Sequence, residues 1–316
     1  MKSFFSSLLL LVVLLIIPSL LKAQIPKHLT PEPDKTPFIF NDVSNFIKAY
    51  EILAENHDTA DVLQKHYFDK GSPGLKAYAK RYALTPEVLI VAIRKNPEVY
   101  RSVNQLPELI KGELDGYLTA FGKLKEYISG ALFPPVYFLV ADLSGIGTVS
   151  EEGLQISVEK WKPNNVLKHT ALVTHEMTHY QQAMLTGPEN YVAIYGKEKS
   201  LLALTIREGV AEFFAELITG AYTQENARKY VEENEADLWS KFQLEMSNKE
   251  TGEWMWVKPN DSAIPEDAGY VFGAMIVKSY YDNSENKKSA IKEILSVTDY
   301  PLFLEKSKYA SKFIKK

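Results

Sequence analysis

The residues whose types and spacing could do chemistry lie at 175–179, where the chain reads His-Glu-Met-Thr-His. The largely apolar segment before them, residues 166–174, predicts a buried helix. Because residues four apart lie on one face of a helix, the imidazoles of His175 and His179 can bind the same metal ion. Two neutral nitrogen donors on one rigid turn suit zinc, and Glu176 is placed to act as a general base on a water held there.

A catalytic zinc takes three protein ligands and keeps one position open, so a third ligand is expected downstream. Residues 207–213 (REGVAEF), in a second predicted helix, offer two carboxylates on one face, Glu208 and Glu212. One carboxylate can bind the metal while the other accepts the ring N–H of a histidine ligand. We assign Glu208 as the third ligand and Glu212 as the partner of a ligand histidine.

These two segments together resemble the gluzincin metallopeptidases, which include the thermolysin-like and membrane-alanyl-aminopeptidase groups. The resemblance implies that Glu208 is the third zinc ligand. In the thermolysin-like group a carboxylate four residues later, here Glu212, supports a ligand histidine. Residues 180–207 make the interval between His179 and Glu208 longer than is usual in those groups.

A second resemblance covers about residues 133–305. It is to a family of predicted secreted zinc-dependent proteases of unknown function, best populated in bacteroidete-type bacteria, with relatives associated with gliding motility. The segments similar to that family are 133–138, 144–148, 175–182, 208–211 and 267–273. The family implies a zinc peptidase and no particular substrate.

The mechanism so implied is metal-assisted hydrolysis, in which Glu176 takes the proton of the attacking water and passes it to the leaving amine. Residues 154–159 alternate in polarity, which predicts a half-exposed strand whose edge could align an extended peptide. Tyr270 is the candidate donor to the oxyanion, with a packed core tyrosine as the alternative. Asp267 is predicted to cap the helix that follows it.

The secondary-structure elements predicted around these residues indicate an α+β fold. It is mostly helical, with a small sheet preceding the zincin-type helix pair. We divide the chain into an extended lead-in (24–40), a helical N-terminal region (41–130) and a zincin-like region (131–316). In the last region, residues 136–140 predict a buried strand, residues 144–148 a turn, and residues 164–184 and 200–219 the two helices. Gly220 is placed to end the second helix.

The first 23 residues read as a secretory signal, with Lys2, a long apolar run and Ala23 before the expected cleavage site. We therefore expect a secreted or periplasmic protein, with an uncleaved anchor as the alternative, and no membrane span after cleavage. The net charge of −4 and the lack of a dense basic stripe argue against a nucleic-acid partner. The absence of cysteine excludes disulfides and thiol catalysis.

Three functions fit this sequence. The first is a secreted zinc metallopeptidase acting on peptides or proteins. The second is a zinc-stabilised, non-catalytic accessory or binding protein of the cell envelope, and the third is a zinc hydrolase acting on a non-peptide amide or ester. Glu176 favours an enzyme, because a structural zinc needs no general base and usually has four closed ligands. The sequence does not indicate the oligomeric state.

Overall fold

The computed structural model describes residues 26–55, 59–197, 200–256 and 264–314; the predicted signal segment lies outside these ranges. The fold is mostly helical with one small four-stranded sheet, which confirms the predicted α+β class. The strands are β1 (Phe38–Ile39), β2 (Val136–Leu139), β3 (Gly147–Ser150) and β4 (Gly153–Ser157). The α-helices of the described residues are α1 (Asn41–Glu55), α2 (Ala60–Leu63), α3 (Pro73–Tyr82), α4 (Pro86–Lys95), α5 (Pro97–Arg101), α6 (Leu106–Tyr127), α7 (Val166–Thr186), α8 (Pro188–Lys197), α9 (Leu201–Thr219), α10 (Glu225–Glu233), α11 (Glu235–Glu245), α12 (Ala268–Asn283), α13 (Lys287–Leu295) and α14 (Tyr300–Ser307).

The sheet has the order β1-β2-β4-β3, in which only the β3–β4 pair is antiparallel. Strand β4 is therefore interior, and all five of its residues are buried. The prediction of a half-exposed strand at 154–159 is wrong, because its polar side chains are buried and hydrogen-bonded. The Gln155 amide donates to the Gly153 carbonyl at 2.7 Å, and the Ser157 hydroxyl donates to the Gly145 carbonyl at 2.5 Å. The edge strands are β1 and β3, and β3 begins inside the segment predicted as a turn.

Helix α7 runs through the centre of the molecule, and every residue from His169 to Gln182 is buried. A helix that is buried on all sides must be packed by neighbours around its whole circumference. It contacts α6, α9 and the strands β3 and β4. One attachment is polar: His169 Nδ1 lies 2.9 Å from a Glu113 carboxylate oxygen on α6, and the His169 ring stacks on Trp161. The predicted metal-ligand motif therefore lies on a deeply buried helix.

The N-terminal residues also support the sheet. The lead-in contributes β1, which pairs with β2 in parallel. The hydroxyl of Tyr67 donates to the Val140 carbonyl and that of Tyr100 to the Ala141 carbonyl, each at 2.7 Å. These bonds hold the end of β2 and the start of the connection to β3. The division of the chain at residues 40 and 130 stays a prediction.

Helices α9 and α12 form the most extensive contact between elements of the described chain. Gly209 and Gly273 lie at the crossing, where a Cβ on Gly209 would be 2.0 Å from the Gly273 carbonyl carbon. The predicted boundaries of α9 hold: the Ser200 hydroxyl caps its start, and Gly220 ends it with φ of 75°. Among the described residues, no helix combines the length and apolar character needed to cross a membrane.

Candidate metal centre

Helices α7 and α9 bring together the three predicted ligands, all of them buried. The two Nε2 atoms of His175 and His179 lie 3.1 Å apart. One carboxylate oxygen of Glu208 lies 3.0 Å from His179 Nε2 and 3.4 Å from His175 Nε2. Three potential ligand atoms from two helices thus form a nearly equilateral triangle.

This triangle has the dimensions of a zinc site. With bonds of about 2.0–2.1 Å, two ligand atoms of a tetrahedral zinc lie about 3.3 Å apart. The observed separations of 3.0–3.4 Å agree with that value. Two imidazole nitrogens and one carboxylate oxygen are also the donor set of many catalytic zinc sites, with the fourth position open. The residues present therefore fit a zinc ion.

The other ring nitrogen of each histidine has its own acceptor, which fixes the tautomer that presents Nε2 to a metal. His175 Nδ1 lies 3.2 Å from a Glu212 carboxylate oxygen, as predicted for that residue. Glu212 is held in turn by the backbone N–H and the hydroxyl of Thr223. His179 Nδ1 lies 2.8 Å from the amide oxygen of Gln182, to which the sequence analysis gave no role.

Glu176 is buried on the same helix, and strand β3 contacts its carboxylate. A Cβ on Gly147 would lie 2.3 Å from Glu176 Oε1, so only glycine leaves room for the carboxylate. Gly147 also receives a contact from the N-terminal region, because the Tyr82 hydroxyl lies 3.5 Å from its carbonyl oxygen. Gly147 was predicted to lie in a turn, and its contact with Glu176 was not predicted.

Tyr270 lies beside the ligands, with its ring centroid 5.9 Å from that of His175 and nearly parallel to it. The indole N–H of Trp256 donates to its hydroxyl at 2.7 Å. Asp267 was predicted to cap α12, but its side chain makes no capping hydrogen bond. Its carboxylate instead accepts the backbone N–H of Trp256 at 2.8 Å. No role had been predicted for Trp256 from the sequence.

The electrostatics of the centre favour a cation. Burial opposes charge on His175, but its hydrogen bonds to the carboxylates of Glu208 and Glu212 outweigh that effect and raise the pKa of His175 to about 10. The two histidines outweigh burial at Glu208 and hold its pKa well below its ordinary value. Burial raises the pKa of Glu176, as suits a group that exchanges a proton. Buried carboxylates need a compensating positive charge, which a metal ion would supply.

Comparison with known proteins gives one family match. No curated protein and no solved structure matches the chain. The family model described as predicted Zn-dependent protease (DUF2268) matches residues 141–299, half of the chain. The match includes both helices of the candidate metal centre and Tyr270. On this evidence the chain belongs to the family of predicted Zn-dependent proteases DUF2268.

Proposed function

We propose that the protein is a zinc metallopeptidase of the gluzincin type that hydrolyses peptide bonds with Glu176 as general base. The observation that carries the proposal is the buried triangle of His175, His179 and Glu208, with Glu176 on the same helix. The family description of a predicted Zn-dependent protease supports it. Zinc, when bound, supplies Lewis-acid polarisation of the scissile carbonyl and acidifies the attacking water.

The protein's own residues have separate roles in this proposal. The Glu176 carboxylate accepts a proton from the attacking water and returns it to the leaving nitrogen, and its raised pKa favours both steps. Glu212 and Gln182 keep the histidines in the tautomer that presents Nε2. The Tyr270 hydroxyl donates to the oxygen of the scissile carbonyl as negative charge develops there.

The strand that aligns the substrate is β3 in this proposal, in place of the predicted strand at 154–159. Within the described part of the chain, strand β3 pairs only with β4, which leaves its other edge without a strand partner and suited to pairing with an added strand. Gly147, at its start, contacts Glu176. An extended peptide paired with β3 would therefore pass beside the general base.

The decisive experiment compares Glu176→Gln with the wild-type protein. We expect Glu176→Gln to keep one zinc per chain by elemental analysis and to lose cleavage of casein, an unstructured protein, by on the order of a thousandfold or more. Glu189→Gln, an exposed position on α8, is the matched control and retains full activity. Equal activity of Glu176→Gln and wild type would refute the assignment of the base.

The same preparation separates the alternative functions. Zinc without cleavage of any substrate would indicate a zinc-stabilised accessory protein. Cleavage of small esters or amides without cleavage of casein would indicate a hydrolase for a non-peptide substrate. Export is also part of the proposal. N-terminal sequencing of the protein released by a secreting host tests it, with Gln24 as the expected first residue.

A further inference from the structure

Trp256 differs from the other three tryptophans of the chain. Trp161, Trp239 and Trp254 are buried in the core, whereas 52% of the surface of Trp256 is exposed. Its indole N–H donates to the hydroxyl of Tyr270, whose ring packs against the ligand His175. An exposed indole is therefore connected to the metal centre through a single tyrosine.

The backbone around Trp256 is held in an uncommon conformation. Trp256 has φ of 57° and Asp267 has φ of 59°, both in the left-handed region that residues other than glycine rarely adopt. The bond from the Trp256 N–H to the Asp267 carboxylate joins these two positions. Such conformations persist only where surrounding contacts determine them, and they concentrate at functional sites. The contact fixes Trp256 at the start of α12, the helix that carries Tyr270.

The chemistry of the indole decides the direction of the hydrogen bond. An indole N–H can only donate, so the phenol oxygen of Tyr270 is the acceptor and its own proton must point elsewhere. Among the described residues, that proton has no acceptor. The phenol proton is therefore available for donation to a ligand oxygen.

We propose that Trp256 is a positioning residue: by donating to the phenol oxygen of Tyr270, it directs the phenol proton toward the carbonyl oxygen of the scissile peptide. The identity of that oxygen rests on the proposed peptidase function. Accepting a hydrogen bond also polarises the phenol and makes it a stronger donor. Trp256 acts through Tyr270, and its own contact with the substrate is not required.

The hydrogen bond between Trp256 and Tyr270 is tested by a measurement that needs no enzymatic activity. The chain has four tryptophans, so a ¹H–¹⁵N spectrum of the zinc-loaded, ¹⁵N-labelled protein has four indole signals. Trp256→Phe removes one of them and so assigns it. We expect Tyr270→Phe to move that indole proton upfield and leave the other three in place. An unmoved signal in Tyr270→Phe would overturn the proposal.

The positioning role is tested by binding and kinetics. A phosphinic peptide, whose tetrahedral oxygens resemble the oxyanion, is titrated into the zinc-loaded variants by calorimetry. We expect Trp256→Phe to weaken inhibitor binding about tenfold and to lower kcat about tenfold, with little change in KM. Tyr270→Phe should weaken binding and lower kcat about a hundredfold. The double variant should match Tyr270→Phe, because Trp256 acts only through that hydroxyl. If the effects of Trp256→Phe and Tyr270→Phe multiply in the double variant, the two residues act independently and the proposal is overturned.

Trp254→Phe is the matched control. It removes an indole N–H that donates to Glu245, away from the ligands, and should leave inhibitor affinity and kcat unchanged. A wild-type protein that binds the phosphinic peptide but cleaves nothing would refute the peptidase function alone. The binding comparison would still decide whether Trp256 acts through Tyr270.

Discussion

At the scale of single residues, the centre depends on the groups behind the ligands. Each ligand histidine has a hydrogen-bond partner at Nδ1, and the two partners differ in charge: Glu212 for His175 and Gln182 for His179. A carboxylate that accepts a hydrogen bond from an imidazole N–H raises the basicity of that imidazole, and an amide oxygen raises it less. Loss of the carboxylate should therefore have the larger effect on the metal.

Glu212→Gln tests this difference. We expect zinc affinity to fall by about 10- to 100-fold, because the neutral amide supports the His175 ring less well than the carboxylate. Competition with a chromophoric chelator measures the affinity. Glu216→Gln is the control: Glu216 lies one turn further along α9 and bonds to Tyr222 and Arg228 instead of a ligand. Unchanged affinity in Glu212→Gln would show that Glu212 does not support the metal.

Gly147→Ala tests the contact between β3 and the general base. The new Cβ would lie 2.3 Å from Glu176 Oε1 and 2.7 Å from its Cδ, so the buried carboxylate must move. A small displacement of a catalytic group costs on the order of tenfold to a hundredfold in rate, while the zinc ligands keep their places. We expect zinc content to be retained and casein cleavage to fall by that factor. Gly122→Ala, with no atom within 4 Å of its new Cβ, should have no effect on cleavage.

At the scale of elements, the position of Glu208 depends on how closely α9 and α12 approach. A Cβ on Gly273 would lie 1.8 Å from the Thr205 carbonyl oxygen, and one on Gly209 would meet the Gly273 backbone. Backbone atoms cannot swing aside as side chains do. The glycines of the Glu208-Gly209 and Gly269–Gly273 segments therefore permit the crossing that places Glu208 beside the histidines.

Gly209→Ala and Gly273→Ala should each destabilise the protein by roughly 1–3 kcal/mol or more, because the added methyl forces the two helices apart. Urea denaturation followed by circular dichroism measures the change. Gly112→Ala, on the exposed face of α6 with open space around it, should instead stabilise by about 0.5–1 kcal/mol through its better helix propensity. A Gly209→Ala variant as stable as wild type would contradict the close crossing.

At the scale of the whole molecule, the N-terminal region supports the connection from β2 to β3. Besides the Tyr67 and Tyr100 hydroxyls, the Glu159 carboxylate accepts the Ala141 N–H at 3.1 Å. Glu159 is almost fully buried, and one of its oxygens has no hydrogen-bond partner among the described residues. Burial raises its pKa from 4.5 to about 7. The connection from β2 to β3 is thus hydrogen-bonded to a buried acid.

This acid predicts a pH dependence of stability. The folded state holds the Glu159 proton more tightly than the unfolded state does. The contribution of protonated Glu159 to the free energy of unfolding is therefore complete below about pH 4.5. The contribution is lost as the pH rises through about 7, where the buried group becomes charged. We expect Glu159→Gln to flatten the fall in Tm between these values, measured by calorimetry. Glu152→Gln, at an exposed position of the β3–β4 turn, should follow the wild-type curve.

The sequence by itself determined the class of fold and predicted the candidate metal ligands, which the structure brings together. The spacing of His175 and His179 is local, since four residues make one helical turn, and the boundaries of α9 follow from Ser200 and Gly220. Glu208 and Glu212 were assigned because the same periodicity places both on one face of the next helix. These assignments required only helix geometry and the ligand preferences of zinc.

Only the tertiary structure decided which strands form the edges of the sheet and which residues surround the candidate ligands. Alternating polarity at 154–159 does not distinguish a solvent-facing side chain from one hydrogen-bonded inside a sheet, so β4 was placed at the edge in error. The contacts of Gly147 with Glu176 and of Trp256 with Tyr270 join residues distant in sequence. Periodicity describes one element at a time, whereas these contacts exist only once the elements pack together.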